Sequence, residues 1–244
     1  MINQNTIALV TGADRGLGAM FVETLLAHGA RKVYAATHRP VDASAYPDPR
    51  VVPLTLDVTQ SEDVKRAAEI AGDVTLLINN AGVNMQTGPL HAEQPSRARI
   101  EMEVNFFATL VMANAFTPAL IRTRGAMVNI LSVLARVTLP PMTSLCASKA
   151  AGLRLSEGLD AELAPQGVRV YAVMPGAIDT DMSRGYDGEK LTTREVVDAT
   201  LAAIGGAPRE IYIGAMAKSV SSMLATDRNT LHAQLLGDAQ AQPQ

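Results

Sequence analysis

A doubly wound parallel α/β sheet, layered α/β/α, is the fold class this sequence predicts, on three observations. Short apolar, β-rich runs alternate with longer helical patterns along the 244 residues, the order that builds right-handed βαβ units around a parallel sheet. A glycine-rich run, Thr11-Gly12-Ala13-Asp14-Arg15-Gly16-Leu17-Gly18, separates the first apolar run from the first amphipathic one. Apolar residues make up 48% of the chain and no repeat divides it, so it can bury one substantial core; length alone would allow one or two domains, and a single domain over residues 1–244 is expected.

The elements follow in chain order. Residues 7–11 read as the first strand, and 16–28, amphipathic from Leu17 to Leu26, as the helix it feeds. Residues 32–36 and 51–56 are the next two strands, and the Pro- and Asp-rich stretch 40–50 between them reads as a surface loop. A helix over 61–71 leads to a strand over 75–79, and a long helix over 96–121 leads to a strand over 126–131. Residues 144–164 form the next helix, 168–174 the sixth strand, 192–204 the last helix and 210–213 the seventh strand. The polar end, 237–244, is expected to fray. In such a sheet, ligands bind at the carboxyl ends of the strands.

Composition narrows the function classes. A net charge of -3 makes no electrostatic case for nucleic acid or an anionic membrane surface. No uninterrupted apolar run reaches about 18 residues, so no membrane-spanning helix is expected. A single cysteine excludes an intrachain disulfide and a multi-cysteine metal site, and no metal is expected. Met1-Ile2-Asn3-Gln4-Asn5 lacks the basic and apolar regions of a signal peptide, which favours a cytoplasmic location.

Strand, glycine turn and helix in succession suit a pyrophosphate, because exposed amides and the positive end of a helix dipole meet there. Gly12 permits the tight turn, Gly16 lets the backbone approach the phosphates and Gly18 allows close helix–sheet packing. Downstream, Asn79-Asn80-Ala81-Gly82, Asn105, Ser132, Lys149 and Pro175-Gly176 occur in this order. With the TGxxxGxG spacing of the glycine run, these residues make the chain resemble the short-chain dehydrogenase/reductase family over nearly its whole length.

The resemblance implies a Rossmann-type sheet of seven parallel strands and an oxidoreductase that binds a nicotinamide dinucleotide. Asp14, Arg15 and Leu17 would join Gly12, Gly16 and Gly18 around the cofactor. Asp57 would meet the adenine ring with Val58 beside it, and Asn80, Ala81 and Gly82 would lie next to the ribose. Asn105 would hold a water in a relay to the lysine, Ser132 would hold a carbonyl oxygen, and Lys149 would bond the nicotinamide ribose hydroxyls. Pro175, Gly176, Ile178 and Thr180 would receive the nicotinamide carboxamide, and 181–190 would form a lid over the substrate. Plainer roles stand beside these: Asp57 as a helix cap before 61–71, Asn105 as a hydrogen-bonded core residue, and 181–190 as a surface excursion. In relatives, the helices matching 96–121 and 144–164 pair across a two-fold axis, so a homodimer or homotetramer is expected.

One position departs from the family pattern. The family places a tyrosine four residues before the lysine and thirteen after the serine, and here that position is Leu145. Leucine neither donates nor accepts a proton. Cys146 is adjacent, but one residue along a helix turns about 100°, so it reads as a small buried hydrophobe. Tyr186 on the lid and His91 after the fourth strand are the other proton donors weighed.

Charge decides the choice of cofactor. NAD recognition in such folds uses an acid after the second strand, and that place holds Thr37, followed by His38 and Arg39. No carboxylate there repels a 2′-phosphate, and Arg15 adds a further cation, so NADP(H) is expected. The first reading is an NADP(H)-dependent oxidoreductase of a small hydrophobic carbonyl, alcohol or imine. A catalytically impaired variant, natural or engineered, and a non-enzymatic dinucleotide-binding protein are the alternatives. An iminium substrate arrives already protonated and has little need of the missing acid.

Overall fold

In a computed structural model of the chain, described over residues 2–240 except 43, 44, 92 and 207, strand β1 (Ile7–Thr11) is buried along its whole length. Its side chains alternate between two cores, Ala8 and Val10 facing one, Ile7 and Leu9 the other. A strand buried on both faces belongs at the centre of a parallel sheet. On one side lie β2 (Lys32–Thr37) and β3 (Val51–Thr55); on the other lie β4 (Leu76–Asn79), β5 (Ala126–Ile130), β6 (Arg169–Pro175) and β7 (Glu210–Ile213). Every pair is parallel and the order is β3-β2-β1-β4-β5-β6-β7. The strand order reverses between β1 and β4, which opens a crevice at their carboxyl ends.

Helices cover both faces. α1 (Gly16–Ala27) and α6 (Thr193–Ala203) pack through Phe21, Leu25 and Val197 on one face. α2 (Ser61–Ile70), α4 (Ala108–Thr123) and α5 (Thr143–Leu163) pack through Val64, Phe116 and Leu163 on the other. The three layers and seven strands agree with the sequence expectation, with strand ends moved by a residue.

The long helix expected over 96–121 is not uniform. It comprises α3 (Gln94–Met102), a π turn over Glu103–Phe107 and then α4. The π turn carries Asn105, 2% exposed, whose amide is held by three hydrogen bonds described below. By length and composition the run Pro95–Thr123 is apolar enough to cross a membrane, although it holds no uninterrupted apolar run of about 18 residues. Its apolar residues serve the core instead: Met112, Ala113, Phe116 and Leu120 are buried against the sheet.

Two helices had no counterpart in the sequence reading, α7 (Ala215–Thr226) and α8 (Arg228–Gln240). Small and polar residues dominate them, so little periodic signal marks them. Ala217, Val220 and Leu231 gain their packing from Val133 and Val137, a tertiary contact. α8 continues to Gln240, so the frayed end expected from 237 is helical that far; 241–244 lie outside the described residues.

Candidate functional site

After β1 the chain turns through left-handed backbone at Gly12 (φ +65°) and Gly16 (φ +54°), a region that favours glycine. Thr11 Oγ1 accepts the amides of Asn80 and Ala81, both at 3.0 Å, and Asn80 Nδ2 donates to the carbonyls of Thr11 and Gly12. The turns after β1 and β4 are thereby joined at the switch point. A Cβ on Gly18 would sit 1.9 Å from the Gly12 carbonyl oxygen, so this approach admits glycine alone. The Ala13 amide donates to Ala36 O at 3.0 Å, which ties the loop to the end of β2. α1 has no side-chain cap and no acid in its first turn. Its first amides and the positive end of its dipole are thus left for an anion, and the loop fits a pyrophosphate.

Arg15, His38 and Arg39 are all exposed at this edge. Arg15 lies 4.0 Å from Asp181, which also pairs with Arg184. Thr37 is only 1% exposed and its hydroxyl donates to Arg39 O at 2.7 Å. Its side chain therefore shapes the loop that carries His38 and Arg39. Asp57 is not the cap of α2, whose N-cap is Gln60. It instead closes a turn by accepting from the amide and hydroxyl of Thr59, with His38 Nδ1 at 3.6 Å from its other oxygen. Val58 is half-buried and packs on the core beside α2.

The second half of the site gathers at the ends of β4, β5 and β6. Ser132 follows β5 in extended backbone, and its Oγ accepts the Leu134 amide at 3.2 Å. That bond uses a lone pair and leaves the hydroxyl hydrogen to donate. Lys149 on α5 is buried, and its Nζ donates to Ile130 O at 3.0 Å. Burial pushes its ammonium down to about 8, while the Glu101 carboxylate acts in the opposite direction. Gly82 borders both partners: a Cβ there would lie 3.5 Å from Lys149 Nζ and 3.1 Å from Asn105 Oδ1. Leu145, four residues before Lys149 on the same helix face, is buried at 5% exposure.

Asn105 spends its side chain on structure. Oδ1 accepts the Val83 amide at 2.9 Å, and Nδ2 donates to Val83 O at 3.0 Å and Ser148 Oγ at 2.9 Å. Both amide hydrogens are committed, as the plainer core role requires.

None of the three proton donors weighed in the sequence takes the phenol's place. Cys146 is buried, which pushes its thiol up, and its sulfur accepts the Leu139 amide. The Tyr186 hydroxyl folds back over its own loop, since a Cβ on Gly188 would overlap it at 2.2 Å. His91 is exposed, with Nδ1 accepting the Glu93 amide in a local turn.

After β6, Thr180 comes beside the phosphate loop, its Cγ2 3.4 Å from where a Cβ on Gly16 would lie. Ile178 bridges Leu191, and hydrogen bonds of 2.8 Å from Asp179 N and Leu191 N pinch the base of 179–190. Gln86 reaches across the cleft from the loop after β4 to the Met182 carbonyl. A residue that the sequence reading passed over is Glu101, 0% exposed on α3. The signal for it was weak, a carboxylate four residues before Asn105 among other charged residues.

Residues 6–190 match the family model described as short chain dehydrogenase. A short chain dehydrogenase from Burkholderia cenocepacia J2315, solved in complex with NADP, is 55% identical and superposes with a TM-score of 0.92 over 97% of this chain and 99% of that one. A short-chain dehydrogenase from Streptomyces avermitilis is 26% identical with a TM-score of 0.81, covering 98% and 99%. Among curated sequences, the 3-oxoacyl-[acyl-carrier-protein] reductase FabG of Haemophilus influenzae is 33% identical over 77% of this chain and 80% of its own.

Proposed function

The chain belongs to the short-chain dehydrogenase family, and from that premise we propose an NADP(H)-dependent oxidoreductase of small hydrophobic carbonyl, alcohol or imine substrates that works without the family's tyrosine. The carrying observation is the cradle at the switch point. Only glycine fits at position 18, the start of α1 is uncapped, and Arg15, His38 and Arg39 are exposed and would be available to a 2′-phosphate. The NADP in the Burkholderia cenocepacia structure supports the same dinucleotide here.

Bound in this cradle, the nicotinamide supplies or accepts a hydride. The chain's residues do the rest. The amides at the start of α1 and Arg15 would hold the phosphates, Asn80 to Gly82 would line the ribose, and Lys149 would donate to its hydroxyls. The Ser132 hydroxyl hydrogen holds the substrate's oxygen or nitrogen. The loop after β6, with Thr180 at its start, receives the carboxamide, and 181–190 closes over the substrate to exclude water. Leu145 offers apolar surface and no proton. A positioned general acid is worth about 10²–10⁴ in rate, whereas holding donor and acceptor together is worth as much or more. A substrate that carries its own proton, such as an iminium ion, loses least from the substitution. We further propose a homodimer or homotetramer, supported by half-exposed Ile100 and Phe107 on the α3–α4 run. A cytoplasmic location goes with it, supported by a single, unpaired and buried thiol.

The test is absorbance loss of NADPH with a panel of ketones and cyclic imines, run beside fluorescence titration of the cofactor. Turnover of at least one class supports the proposal. Tight NADPH binding with no turnover of any member would make this a binding protein, and no binding would remove the cofactor reading.

A further inference from the structure

Glu101 is a buried charge for which the proposed function has no use. Its Oε1 accepts the Met85 amide at 2.8 Å, while Oε2 has no hydrogen-bond partner among the described residues. Burying a carboxylate in this way is unfavourable unless an opposite charge is near. Lys149 faces the mirror problem: it is buried, and its ammonium bonds a neutral carbonyl, Ile130 O at 3.0 Å.

The topology brings the two together. The α3–α4 run and α5 each precede a strand of one parallel sheet, so they run in the same direction. Asn105 meets Ser148 at 2.9 Å. About one turn earlier on both helices lie Glu101 and Ser144, and the buried Ser144 hydroxyl also has no partner among the described residues. Lys149 is the residue after Ser148; burial lowers its affinity for a proton, while the Glu101 carboxylate raises it. Other charged groups on the packed elements are engaged elsewhere: Arg97 with Glu93, Arg136 with Glu210, Arg154 with Glu157 and Asp160 with Arg209. Arg99 donates to the Pro95 carbonyl and Glu103 is exposed. Burial pushes the Cys146 thiol up.

We infer that Glu101 is the buried countercharge of Lys149, a positioning residue that keeps the ammonium protonated for the cofactor's ribose in a site where leucine stands in the phenol's place. The inference rests on the dinucleotide reading above. Its test is NADPH affinity, read by fluorescence between about pH 6.5 and 10. Wild-type protein should bind well to about pH 8 and weaken above it. In Glu101→Gln the midpoint of that loss should fall by about one pH unit or more. On the acid side of the midpoint, affinity should stay within about threefold of wild type. Glu101→Asp, which keeps the charge, should stay closer to the wild-type midpoint than the glutamine variant does.

An unmoved midpoint overturns the inference, and so does an affinity lowered equally at every pH, the mark of a merely structural role. If the glutamine variant does not fold, lysine-labelled NMR of the wild-type protein without cofactor decides, with Lys149→Met assigning the signal. A Lys149 midpoint at or above about 8 supports the countercharge, and one below about 7, the range of unsupported buried lysines, refutes it. Failure of NADPH to bind at any pH would overturn the dinucleotide reading instead, and the NMR titration would still judge the countercharge.

Discussion

Restoring the phenol is the sharpest perturbation available. In Leu145→Tyr, the new side chain starts one helical turn before Lys149, on the face that the lysine shares. Its hydroxyl would enter the space bordered by the Lys149 ammonium and the Ser132 hydroxyl, both at the carboxyl end of β5. An ordinary phenol titrates near 10, and an adjacent ammonium favours the phenolate and lowers that value, so the residue becomes a competent acid near neutral pH. A general acid of this kind is worth about 10²–10⁴ in rate, which is about 2.7–5.4 kcal/mol of barrier. The cost falls on stability. Leu145 is 5% exposed, and overpacking a closed site costs about 1–3 kcal/mol against a typical total of about 5–15 kcal/mol, so the variant should fold. The assay is NADPH consumption with ketones, with cofactor titration and thermal melting as controls. Ketone reduction should rise by about 10²-fold or more, cofactor affinity should hold nearly constant, and imine reduction should gain much less. A folded variant that binds NADPH and gains nothing on any ketone would refute the reasoning. It would mean that the pocket is built around the leucine and that this is not a ketoreductase short of one residue.

Three further outcomes are expected. NADPH should bind at least about tenfold more tightly than NADH, because exposed Arg15 and Arg39, with His38, would be available to a 2′-phosphate and no carboxylate stands at position 37; equal affinities by fluorescence titration would contradict this. Gly18→Ala should abolish measurable NADPH binding and lower the melting temperature, since its Cβ would fall 1.9 Å from the Gly12 carbonyl oxygen; near-wild-type binding would show that the loop is not the cradle. Sedimentation at micromolar concentration should give a dimer or tetramer that Phe107→Glu weakens, because Phe107 is 46% exposed on the helical run expected to pair; a monomeric wild type would remove the expectation.

The sequence alone determined the sheet and its functional edge. Strands alternate with helices except between β2 and β3, both faces of the central strands are apolar, and the glycine run follows β1. These are local patterns, because strand and helix periods and left-handed turns are set within a few residues. They also placed Gly12 and Asn80 in the turns after β1 and β4, Ser132 after β5, and Gly18 and Lys149 on helices, and the frame from Ser132 to Lys149 put Leu145 where the family pattern has a tyrosine. What tertiary structure decided is where polar side chains point and what they meet. Thr37 stands beside His38 and Arg39 in the chain, yet its hydroxyl turns inward to Arg39 O. Asn105 commits its amide to Val83 and Ser148 through a π turn that no period announces. Tyr186 folds back on Gly188, and α7 and α8 owe their packing to Val133 and Val137. Glu101 shows the difference most plainly. In the sequence it is one charged residue among others at the start of a long helical run; only tertiary packing leaves it 0% exposed, because the environment of a charge is made by elements distant in the chain.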